Sequence, residues 1–173
     1  MKVEALWVRF DRFSRNLLPL ALTFCLVLLS AVPVPIPGYA LVVPLFSLCS
    51  VYFWSINRPQ SLPPVAIFAL GLIQDALAGT PFGLHAAMLL LTYGMVVGQR
   101  RFFVGKSFGV IWWGFMLVAL ISIAAAWLFA SAASWNVVRP GPAGFQFLLT
   151  LALYPVAALF LTGVQRLMPS PAD

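Results

Sequence analysis

The stretch VYFWSINRPQSLPPVAIFALGLIQDALAGTPFGLHAAMLLLTY, residues 51–93, decides how this chain is read. It consists of apolar runs separated by NRPQSLPP and GTPFG. The runs are continuously apolar, with no period-2 alternation, so they read as helices and not as strands. Proline cannot continue a helix ladder, which makes the two clusters credible breaks. The runs on either side of GTPFG are short and share a tight turn, which predicts an antiparallel hairpin. Within them lies Asp75, the only acid well inside any long apolar stretch, together with His85, the only histidine. Gly71, Asp75, Gly79 and Gly83 recur every fourth residue. An ionisable group in lipid costs about 3 kcal/mol on insertion scales, so its presence marks function or a specific helix contact.

Composition sets the surroundings of that stretch. Of 173 residues, 62% are hydrophobic and 8% are charged. A soluble domain carries roughly 25% charged residues. Too few polar groups are present to cover a surface in water, so the expected solvent is lipid. A single integral membrane domain follows, with no second soluble module. The first apolar run is too long for a cleavable signal peptide and lacks a small-residue cleavage site. The net charge of +6 does not point to nucleic acid. Its basic residues stand at the ends of apolar runs, where membrane topology places them.

A bilayer core takes about 20 apolar residues per helix. Six spans meet that need: Asn16–Val32, Tyr39–Ile56, Leu62–Ala78, Gly83–Gln99, Ser107–Ala133 and Phe145–Leu167. PVPIPG and RPGPAG supply further breaks. With six spans, Lys2, Arg9, Arg12, Arg15, Arg58, Arg100, Arg101, Lys106 and Arg166 share one side, and Arg139 alone falls on the other. The positive-inside rule then puts both termini in the cytoplasm. Trp54, Trp112 and Trp113 fall at the inner interface, and Tyr39, Trp127 and Trp135 near the outer one, as an aromatic belt would. The expected organisation is a segment over 1–15, a transmembrane domain over 16–167 and a short tail over 168–173. In the first segment Val3, Leu6, Trp7, Phe10, Phe13 and Leu17 share a helix face opposite Lys2, Arg9, Arg12 and Arg15. That is the pattern of a helix lying in the headgroup layer.

Asp75 and its glycines lie on one helix face, and small residues at that spacing let a neighbouring backbone approach. The acid reads as a polar lock within the protein or to a partner helix. A proton relay would need a chain of ionisable groups, which is missing. His85 follows the turn at similar depth, and two readings stay open: a pair with Asp75, or a histidine meeting interfacial water. Cys25 and Cys49 read as small buried apolar residues. Gly94 and Gly98 offer another close-approach face. Tyr154-Pro155 should kink the last helix or open its ladder, lining a cavity or serving packing. No nucleophile elbow, zinc motif, P-loop or dinucleotide fingerprint is present, and paired carboxylates are lacking. No catalytic residue, metal or cofactor is assigned.

The residues from the second span through the fourth resemble the MreD family of the bacterial rod-shape system. The resemblance rests on Pro44 opening the second helix, Tyr52-Phe53-Trp54 closing it, Pro59 in the inner loop, then Phe68, Gly71, Asp75, Gly79, Gly83 and Ala86. Tyr154, Pro155 and Arg166 fit in the last helix. It implies a non-enzymatic inner-membrane role beside an MreC-like protein, the MreB filament, a RodA-type glycosyltransferase and a class-B transpeptidase. It also implies a fold similar to the S components of ECF vitamin transporters, which supplies the runner-up function, substrate binding in such a transporter. Short, mostly apolar outer loops favour the scaffold.

Overall fold

The computed structural model describes residues 18–30, 43–135 and 139–167, which carry seven α-helices and no strand. In chain order these are α1 (Leu18–Ser30), α2 (Phe46–Asn57), α3 (Pro64–Ala78), α4 (Leu84–Gly98), α5 (Arg100–Phe103), α6 (Phe108–Ala133) and α7 (Pro140–Leu167), with a 3₁₀ turn at Pro59–Ser61. Of the described helices, α6 and α7 are long and apolar enough to cross a membrane. The expected hairpin is present as α3 and α4, with α4 further packed on α6 and α2. The amphipathic segment over 1–15, the break PVPIPG, Tyr39 and the tail over 168–173 lie outside the described residues.

The core forms around α2. All ten residues from Ser47 to Ile56 are buried, because α4 and α7 pack against this helix and α1 reaches it through Thr23. Trp54 is therefore a core residue with no exposure, and its assignment to an interfacial belt is corrected. Trp112, Trp113 and Trp135 do face outward. Cys49 is buried as expected, whereas Cys25 is exposed on α1 and not buried.

Small hydroxyls pin the helices together. Thr23 gives its proton to the Pro19 carbonyl, so its oxygen accepts from Ser50 of α2 at 2.8 Å. Thr92 of α4 and Ser122 of α6 repeat the device at 2.9 Å. Each such contact contributes about 0.6 kcal/mol in a membrane setting.

The start of α2 is held from outside its own sequence. Val43–Leu45 is not helical, so the second helix begins at Phe46, two residues after the buried Pro44. Thr150 of α7 accepts the Leu45 N–H at 3.1 Å, and Ser30 of α1 accepts the Phe46 N–H at 3.1 Å. The Gln146 amide donates to the Val43 carbonyl at 2.9 Å. At the other end Arg100 Nε donates to the Ile56 carbonyl at 2.8 Å, which closes α2 beside the basic loop. There Tyr154 stacks on Phe115 at 4.0 Å, and Tyr52 meets Phe115 edge-on at 5.2 Å. Gly114 makes room for Phe103 and for the Tyr52 hydroxyl, which donates to the Ile111 carbonyl at 2.8 Å.

The last helix departs from expectation at its start. RPGPAG reads as a break, yet α7 begins at Pro140 and not at Phe145. Proline within a first turn forfeits only N–H groups that would lack partners anyway. Pro155 inside α7 does remove a ladder bond, the one owed to the Leu151 carbonyl. The helix nevertheless continues through it, and the Trp112 indole of α6 approaches that carbonyl at 3.4 Å. Tyr154-Pro155 thus serves packing between α6 and α7.

Candidate functional site

The site is the junction of α3 and α4. Gly79 closes α3 in the left-handed region, with φ 64°, and Thr80 N–H returns to the Asp75 carbonyl at 3.2 Å. Gly83 opens α4, again left-handed, with φ 97°. A side chain at either position would strain the turn. This local geometry brings the start of α4 back over the last turn of α3, directly onto the Asp75 side chain.

Asp75 has no solvent exposure, and its carboxylate accepts four hydrogen bonds. Oδ2 takes the Gly83 N–H at 2.9 Å. Oδ1 takes the His85 N–H at 2.9 Å, the His85 ring at 2.8 Å and the Thr80 hydroxyl at 2.9 Å. An ionised carboxylate only accepts, so His85 Nδ1 carries the proton. The His85 ring is also 3.2 Å from Thr80 Oγ1, because both groups converge on one oxygen. Two of the four donors are backbone N–H groups at the start of α4, which have no partner within the helix. Asp75 is therefore an N-cap supplied by the preceding helix, with its charge at the positive end of the α4 dipole. Of the two readings of His85, the pair with Asp75 describes its geometry.

The glycines divide by role. Gly71 lies against α4, where a Cβ would stand 2.6 Å from the Ala86 nitrogen and closer still to its Cα. Only glycine permits that approach. A Cβ at Gly79, Gly83, Gly94 or Gly98 would meet no atom within 4 Å. Within the chain and among the described residues, Gly71 alone of these glycines carries a close helix approach. Gly79 and Gly83 stand where the chain needs positive φ.

Thr80 escaped the sequence reading. Its signal is faint, a hydroxyl beside a glycine in a turn five residues after an isolated acid. Pro59 sits in the 3₁₀ turn between α2 and α3, while Tyr52, Trp54 and Tyr154 are buried in the core.

Chemically, the carboxylate is fully engaged and shielded, and it is the sole acid among the described residues. Those residues hold no cluster of His, Cys, Asp and Glu suited to a metal. The arrangement locks one helix start to another helix end. Comparison with curated proteins and with solved structures returned no match. The family model described as rod shape-determining protein MreD matches residues 11–164, nearly the whole chain, and the chain belongs to that family.

Proposed function

We propose that the chain is a non-enzymatic, multi-pass subunit of the inner-membrane machinery for cell elongation. It crosses the membrane six times, with both termini in the cytoplasm. It organises an MreC-like protein, the MreB filament, a RodA-type glycosyltransferase and a class-B transpeptidase through helix contacts within the bilayer. The rod shape-determining family supports the setting. The observation that carries the mechanism is the fully satisfied Asp75 carboxylate. A group with four donors and no exposure is built to hold geometry, not to pass protons. The lock fixes the α3–α4 hairpin, and α3 packs chiefly on α4. That leaves an outward α3 face bearing Val65, Phe68, Ile73 and Leu77, which is exposed for a partner helix. Gly71, Asp75, Gly79, Gly83 and His85 act by shaping this hairpin. The 15 residues of α3 and of α4 give roughly 22 Å each, which short spans accommodate by local thinning of the bilayer.

The test is a pull-down of the tagged full chain from its host in native nanodiscs, with mass spectrometry of the partners. Recovery of an MreC-like protein with cell-wall synthases is the expected result. Recovery of a paired ATPase with a coupling membrane subunit would overturn the scaffold reading.

A further inference from the structure

At the Asp75 end of the helices, a cavity of about 220 Å³ opens between the start of α4, the last part of α6 and the start of α7. Its walls are mainly apolar, formed by Met88, Ile123, Ala126 and Ala143. Four side chains with polar groups interrupt them: Trp127, Gln146, Arg139 and His85. Arg139 stands exposed at the N-terminal edge of α7 and has no hydrogen-bond or ion-pair partner among the described residues. His85 lines the opposite wall. Its Nδ1 is committed to Asp75, so the ring atom left for a ligand is Nε2. In the Nδ1–H tautomer, Nε2 is an acceptor for a hydrogen bond. The Asp75 carboxylate is buried and takes four donors, so the ionic group placed to meet an anion in the cavity is Arg139. The cavity thus offers one cation, Arg139, and the His85 ring facing it, with Gln146 beside them above a mainly aliphatic floor.

We propose that this cavity holds the headgroup of a phospholipid that carries both a phosphate and a hydrogen-bond donor. Arg139 takes the phosphate. His85 Nε2 takes a glycerol hydroxyl or an ethanolamine ammonium. The volume is many times the roughly 10–15 Å³ that a single water needs, enough for a head and its first methylenes. The chains then run along the exposed apolar side of α6, where Leu128 and Phe129 face outward. A choline headgroup, which has no donor, leaves Nε2 unanswered and is discriminated against.

Native mass spectrometry of the delipidated full chain, titrated with phosphatidylglycerol, phosphatidylethanolamine and phosphatidylcholine of equal chain length, tests this. The first two should bind, with phosphatidylcholine weaker by about tenfold, as loss of one buried hydrogen bond implies. Arg139→Gln should weaken phosphatidylglycerol by about tenfold without lowering the melting temperature, since the exposed side chain makes no bond. Ala143→Trp, which fills the cavity, should abolish binding. A competition arm uses glycerol 3-phosphate: displacement keeps the phosphate-and-donor chemistry but assigns it to a soluble ligand, and no displacement assigns it to lipid. Equal binding of all three lipids, or binding unchanged in both variants, would overturn the proposal.

Discussion

At the scale of single residues, the chain solves one problem repeatedly. A helix that starts in apolar surroundings exposes N–H groups that no water can satisfy, and each unpaired group costs several kcal/mol in lipid. Asp75 satisfies two of them for α4, while Ser30 and Thr150 do so for α2. Thr80→Val removes one bond to the carboxylate and should lower stability by about 1 kcal/mol, read from thermal unfolding in detergent. Asp75→Asn and His85→Gln remove the two halves of one contact. The loss in the double variant should therefore fall well short of the sum of the single losses. Strictly additive losses would show that the two side chains act apart. Asp75 was legible from sequence because a lone acid in an apolar run demands a reason. Its partners were less so, because two of the four donors are backbone atoms with no signature in composition.

At the scale of elements, glycines with the same spacing carry different loads. Gly71→Ala drives a methyl into the Ala86 backbone and should cost about 1–3 kcal/mol by overpacking. Gly79→Ala meets open space but keeps a left-handed backbone, at about 1–2 kcal/mol. Moving Ala86 is no remedy for the second, so a permissive αL residue such as Asn should rescue position 79 and fail at 71. Thermal unfolding of the four variants checks this. The hairpin itself was legible: Pro and Gly mark its ends, and α3 stops at Ala78 as the spacing predicts. The start of α7 was not, because proline breaks a helix interior yet suits a first turn, and sequence alone does not say which applies at Pro140. For Pro155 the account predicts coupling across helices. Trp112→Phe should cost stability in the native chain and almost nothing beside Pro155→Ala, where Leu151 regains its own N–H donor.

At the scale of the whole molecule, a buried α2 surrounded by α1, α4 and α7 gives a bundle with apolar outer faces and sparse polar chemistry. Such a body suits contact with other helices in lipid, which fits a member of a rod shape-determining family. The all-helical class followed from continuous apolar runs, while the aromatic belt was misjudged at Trp54. Hydropathy reports that a tryptophan lies near a helix end but not which side of the helix faces lipid. The central claim is that the Asp75 lock shapes the hairpin a partner reads. The most direct measurement replaces the native chain with Asp75→Leu at equal membrane level and scores cell shape together with recovery of the MreC-like protein. The account predicts inserted protein, rounded cells and lost recovery. Normal rods with full recovery would contradict it.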